Sequence, residues 1–134
     1  VRGGSMGAVL CVGVGGFVGA VLRYGMGLVL FAGAFPWATF AVNLLGAVAI
    51  GALTEAAGRT EGLSPEALLF LKTGVCGGFT TFSTFSLETV ELLEGGQLAL
   101  GATYAGASLV CCLVGVLLGK ALARTVLGAL GLAE

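Results

Sequence analysis

GGFTTFSTFSLE, residues 77–88, decides how this chain folds: paired glycines, then five hydroxyl side chains threaded between three phenylalanines, then a glutamate. A helix buried in hydrocarbon seldom carries so many small polar groups in a row, because each must find a hydrogen-bond partner away from water. The rest of the chain offers little water. Of 134 residues, 57% are hydrophobic and only 10% charged, and the mean hydropathy is +1.09. A soluble domain carries about a quarter charged residues. Residues 3–22, 24–54 and 95–119 contain no Asp, Glu, Lys or Arg, and each reaches the ~18–20 apolar residues that cross a bilayer core. The sequence therefore reads as an integral membrane protein.

Working outward from residues 77–88, four spans account for the whole chain as one all-α membrane domain, 1–134. The first runs over about 6–30, with Arg23 late in it. Its upstream Arg2 gives it the look of a secretory leader, but the apolar run is too long for one and reads as a permanent span. Ala34-Phe35-Pro36-Trp37 makes a short turn, in which proline sets the break and tryptophan suits the interface. The second span covers about 38–57. Residues 58–64 (GRTEGLS) are polar, and Ser64-Pro65-Glu66 reads as a cap with proline in the first turn. The third span, 65–93, is apolar at first, interrupted at 74–84, then amphipathic through Glu88, Glu91 and Glu94. Gly95-Gly96 ends it, and the fourth span runs over about 97–122.

An even number of spans puts both termini on one side. That side collects Arg59, Lys120 and Arg124, with Arg2 and Lys72 as further candidates, whereas the opposite side has at most Arg23. Counting basic residues favours cytoplasmic termini in the plasma (inner) membrane. Glycine makes up 25 residues, scattered among Val, Leu and Ala, where small residues let helices approach closely. Gly16, Gly19, Gly46, Gly51 and the G-x-x-x-G pair Gly115 and Gly119 suit that role. Four thin helices enclose little interior, so any path for a solute has to be shared with a second copy, most simply in a homodimer.

Several function classes drop out. The chain has no histidine and no C-x-x-C spacing, and its four cysteines lie in apolar segments, so a zinc or haem site is not expected. A net charge of −1 without a basic stripe argues against nucleic acid. No Ser or Thr has a base at helical spacing, which argues against nucleophilic catalysis. Transport is the class that remains, because polar residues inside spans are costly and placed for a reason.

Within that class, Asn43 either bonds a neighbouring helix or offers amide N–H groups to an anion. Arg23 either snorkels to the interface or gives a vestibule positive potential. Gly77-Gly78 can unwind the third helix, freeing carbonyls for cations and N–H groups for anions. Beyond the break, helical spacing puts Phe79, Phe82 and Phe85 on one face and Thr81, Thr84 and Glu88 on the next. Ring edges carry partial positive charge. With hydroxyls and an amide but no formal cation, they suit a small, strongly hydrated anion that must bind and leave again.

The segments GGFVGAVLRYGMG (15–27), WATFAVNLLGAVAIG (37–51) and TGVCGGFTTFSTFSLE (73–88) resemble the Fluc, or CrcB, family of fluoride channels over essentially the whole chain. The resemblance implies an antiparallel, dual-topology homodimer that exports cytoplasmic F⁻ passively through two pores, relieving fluoride toxicity, with a structural Na⁺ at the dimer centre. By position, Phe82 and Phe85 would turn ring edges to the ion and Asn43 would add its amide. Thr81, Ser83 and Thr84, with Tyr104 and Ser108 on the fourth span, would supply hydroxyls along the path. Gly77 and Thr80 would give backbone carbonyls to Na⁺. Arg23 and Glu88 would belong to the vestibule.

The chain departs from the family pattern where the fourth span's polar line continues beyond Ser108, since Cys112 and Val116 stand there. The antiparallel arrangement comes from the resemblance and not from the charge count. Two other readings compete. A small proton-coupled multidrug exporter needs a carboxylate deep in a span, but the first span has no acid and Glu88 lies in an amphipathic end. A non-transporting membrane subunit would not need the ordered Ser, Thr and Phe of 77–88.

Overall fold

The computed structural model describes residues 6–29, 33–60 and 62–132. Within them the chain is helical with no strand. Helix α1 is Met6–Val29 and α2 is Trp37–Arg59. The third segment is composite: α3 (Pro65–Leu68), a π-helical stretch (Leu69–Cys76), α4 (Gly77–Phe79), and after a gap α5 (Phe82–Glu94). It is followed by α6, Leu98–Ala129. Three of these, α1, α2 and α6, are long and apolar enough to cross a membrane. A helix satisfies its own backbone, which is the condition for lying in hydrocarbon.

The elements start and stop where local chemistry says they should. The Ser64 hydroxyl accepts from the Ala67 N–H at 3.1 Å and Pro65 occupies the first turn of α3, a pre-organised start that needs no proline N–H. Gly96 ends α5 with φ of 77°, the left-handed turn that glycine adopts without Cβ strain. Span limits read from sequence agree with α1 and α2 to within two residues; Leu30 and residues 1–5, including Arg2, lie outside the described residues. Helix α6 runs seven residues past the expected end at 122.

The helices assemble as two close pairs, α2 against α6 and α1 against the π-helical stretch and α4. Glycine makes both pairs possible. A Cβ at Gly15 would meet the Phe70 carbonyl oxygen, and one at Gly19 would meet the Val75 carbonyl oxygen and, at 2.7 Å, the Phe79 nitrogen. A Cβ at Gly51 would strike the Val116 carbonyl, and one at Gly119 the Val48 carbonyl. Backbones this close gain dispersion contacts that larger residues would forbid.

The break in the third segment does not fall at the paired glycines. Gly77 and Gly78 are α-helical, and a Cβ at Gly78 would collide with the Gly16 carbonyl, so Gly78 serves packing on α1. The chain leaves the helix at Thr80 (φ −77°, ψ 158°) and Thr81 (φ −150°, ψ 112°). Two extended residues, and not a glycine hinge, interrupt the span. Upstream, the expected plain helix is π-helical over Leu69–Cys76, a widening frequent at functional sites.

Candidate functional site

Extended backbone in a membrane interior leaves N–H and C=O groups without helical partners. Asn43, in the first third of α2, meets that demand. Its Oδ1 accepts from the Thr81 N–H at 2.8 Å and its Nδ2 donates to the Thr81 carbonyl at 3.1 Å. The side-chain amide thus pairs with Thr81 much as a neighbouring strand would. One Nδ2 proton is left over, and Asn43 also lines a cavity of about 660 Å³.

The hydroxyls between the phenylalanines have distinct tasks. Thr80 Oγ1 donates back to the Cys76 carbonyl at 2.9 Å, closing the end of α4. Thr81 Oγ1 accepts from the Thr84 N–H at 3.2 Å as the N-cap of α5 and donates to Thr84 Oγ1 at 2.9 Å. Ser83 Oγ lies 3.3 Å from Thr81 Oγ1. Ser86 and Thr89 donate to the Phe82 and Phe85 carbonyls at 2.8 and 2.7 Å. Most of these groups hold the break in shape, each within about one turn of its own position.

The break separates Phe79 from the other two rings, so the three-ring stripe expected on one helix does not form. Phe82 and Phe85 remain neighbours on α5, with centroids 5.5 Å apart and planes tilted by 45°. Phe85 packs on Tyr104 at 5.3 Å, and Tyr104 on Phe35 at the same distance. Phe82 is 79% exposed in the single chain.

Two cavities flank the break and divide the expected site residues between them. The larger is lined by Asn43, Gly77, Thr80, Phe82, Phe85 and Ser108, with Lys72, Cys112 and Val116 further along its wall. Ser108 is 5% exposed and its Oγ has no protein partner. A buried hydroxyl without a protein partner is rare, and Ser108 lines this cavity. The smaller cavity, about 390 Å³, is lined by Arg23, Thr81 and Thr84 together with Thr39.

Glu88 belongs to a cluster that the sequence reading did not assemble. Thr39 Oγ1 donates to Glu88 Oε1 at 2.8 Å, and the Tyr104 hydroxyl donates to Oε2 at 2.6 Å. Thr39 and Tyr104 are both buried. The carboxylate is held by one donor from α2 and one from α6, so it ties three helices together. Tyr104 consequently spends its hydroxyl on Glu88. Thr39 was missed, although it lies one helical turn before Asn43, on the same face of α2; that i, i+4 spacing was the available signal.

At the other end of α2, Glu55 Oε1 accepts from Arg59 Nε at 2.6 Å and from Arg124 Nε at 2.7 Å. Arg59, Lys120 and Arg124 thus share one end of the bundle, as the span count required.

Comparison with known proteins agrees with this architecture. The family described as "CrcB-like protein, Camphor Resistance (CrcB)" matches residues 10–120. A protein of Chlorobaculum tepidum named "Fluoride-specific ion channel FluC" is 51% identical over 118 residues, covering 84% of this chain and 94% of that protein. A protein of the same name from Ruminiclostridium cellulolyticum is 47% identical over 121 residues, 88% of this chain and 93% of its own. One from Rhizobium meliloti, again of that name, is 48% identical over 122 residues, with 89% and 98% covered. A match over most of the chain, on a helical membrane fold that breaks within the GGFTTFSTFS motif, establishes that this multi-pass membrane protein belongs to the CrcB family.

Proposed function

We propose that the chain is a passive fluoride-selective channel. The observation that carries this reading is the wall of the larger cavity, where Asn43, Phe82, Phe85 and the unpartnered Ser108 hydroxyl converge. No carboxylate lines that cavity. Amide, hydroxyl and ring-edge donors can replace part of an anion's hydration while letting it leave, and Lys72 further along the wall adds a positive charge. The relatives' name supplies the ion.

The working unit in this proposal is an antiparallel, dual-topology homodimer with two pores. Supporting it, Phe82 is exposed at the cavity mouth of a lone chain, and a cavity open on one side becomes a closed path only when a second copy covers it. In this arrangement Phe82, Phe85, Asn43 and Ser108 line each pore. Thr81, Ser83 and Thr84 maintain the break, and Thr81 and Thr84 border the vestibule that Arg23 makes positive. Glu88 fixes α5 against α2 and α6 through Thr39 and Tyr104.

A structural Na⁺ at the dimer centre is part of the proposal, and the residues fit it. The Thr81 N–H, which would pair with the Gly77 carbonyl in an unbroken helix, is taken by Asn43. Thr80, at ψ 158°, has turned its carbonyl out of the helical direction. Both residues line the larger cavity. Carbonyl oxygens suit a hard cation; such an ion would neutralise converging carbonyl dipoles from the two copies.

The test is flux. Purified protein in liposomes loaded with KF should release F⁻ when valinomycin clamps the potential, while KCl-loaded vesicles stay full. Phe82→Ile should slow release with the protein still folded. Monodisperse, correctly inserted protein that releases no F⁻ would refute the reading.

A further inference from the structure

We propose a binding site for the phosphate of an anionic phospholipid at the end of the bundle where α2 and α6 finish. Residues 98–119 of α6 are free of charge and rise about 33 Å at ~1.5 Å per residue, close to the ~30 Å of a bilayer core. Lys120 therefore stands where α6 leaves hydrocarbon, and Arg124 one turn beyond. On α2 the first charge after the apolar run is Glu55, followed a turn later by Arg59. All four side chains reach the same interfacial level.

Their charges do not cancel. Glu55, only 11% exposed at its side chain, binds both arginines through one carboxylate. Arg124 adds a second bond from Nη2 to Glu55 Oε2 at 3.2 Å. Lys120 is half-buried and forms no ion pair among the described residues. Among the described residues of this cluster, three cations thus face one acid. Lys120, Arg59 and Glu55 line a pocket of about 340 Å³, room for a phosphate diester. Glu55 holds the guanidinium Nε atoms and so presents the remaining arginine N–H groups outward in a fixed position.

The neighbouring surface identifies the occupant as a lipid. A second, larger depression shares Arg59 and Gly58 with that pocket and is walled by Leu63, Leu127 and Leu132. A phosphate site continuous with an apolar groove, at the ends of two membrane-length helices, matches a headgroup with its glycerol and upper acyl chain. Basic pockets between such helices recognise phosphate headgroups in this way. The whole chain has net charge −1, so a preference for anionic lipid would come from a local cluster such as this one and not from overall charge.

The experiment measures the thermal midpoint of the purified full chain in mixed micelles at one fixed Na⁺ concentration, at equal mole fractions of phosphatidylglycerol or phosphatidylcholine, with potassium phosphate as a further arm. Phosphatidylglycerol should raise the midpoint by a few degrees, as for a ligand well above its Kd, and added salt should erode the gain. Phosphatidylcholine and free phosphate should leave it in place. Each variant is compared with and without lipid, so its own stability drops out: Lys120→Gln should lose most of the lipid-dependent gain and Lys120→Arg should keep it. An equal gain with both lipids, the same gain from free phosphate, or a full gain in Lys120→Gln overturns the proposal. None of these outcomes depends on fluoride flux.

Discussion

Asn43 and Thr81 are paired through both polar atoms of the asparagine amide, at 2.8 Å to the Thr81 nitrogen and 3.1 Å to its oxygen. A residue on the second span therefore substitutes for the hydrogen bonds that the third span gives up where it breaks. The same side chain lines the cavity with Phe82, Phe85 and Ser108, so the break's shape and the proposed ion path share one amide.

Replacing it should affect both. Asn43→Ala leaves the Thr81 N–H and C=O without partners, at about 1–3 kcal/mol for each buried group. The melting midpoint in detergent should fall, together with F⁻ release. Asn43→Asp retains the acceptor but not the donor and brings in a negative charge, so flux should drop at least as far. Wild-type melting in Asn43→Ala would show that the pairing adds nothing to stability.

Tyr104→Phe removes one of the two hydroxyls that hold Glu88 and should cost about 1.5–3 kcal/mol, the range for a bond to a charged group. In a Glu88→Gln background the same change should cost less, since the charge that Tyr104 served is gone. A double-mutant cycle on thermal stability reads this coupling directly. Strict additivity would mean that the 2.6 Å contact does not bind the helices.

Gly19→Ala drives a methyl into the Val75 carbonyl and the Phe79 nitrogen, and overpacking of this kind costs about 1–3 kcal/mol. Gly13 lies on the same helix, and a Cβ there meets nothing within 4 Å. Gly13→Ala should be neutral or slightly stabilising, because alanine is the better helix former. Equal effects at both positions would argue against the α1–α4 contact.

Ser108→Ala separates structure from function most cleanly. Its Oγ is buried with no protein partner, so removing it should leave the melting midpoint unchanged or raise it. F⁻ release should nevertheless slow, about tenfold if the hydroxyl contributes ~1.4 kcal/mol to the ion's passage. Unchanged flux would remove Ser108 from the path.

Much of this molecule could be read without coordinates. Charge-free runs of bilayer length fix where helices lie, since backbone groups in lipid must be satisfied within the helix. Ser64-Pro65 and Gly96 mark their ends through capping chemistry local to a few residues. The weight of 77–88 as a site followed from the cost of placing hydroxyls in hydrocarbon. Glycine spacing announced close packing, and the basic residues late in the second and fourth helices announced a common end.

Tertiary structure decided the rest, because it depends on partners far away in the chain. Paired glycines in sequence suggested a hinge at Gly77-Gly78; the fold uses Gly78 to meet α1 and places the break at Thr80-Thr81, because Asn43 stands opposite to receive it. Glu88 reads as one acid on an amphipathic helix until Thr39 and Tyr104, 49 and 16 residues away in the chain, are brought to its two oxygens. Sequence states which groups need partners in a membrane. Which partners they obtain is set only when the helices come together.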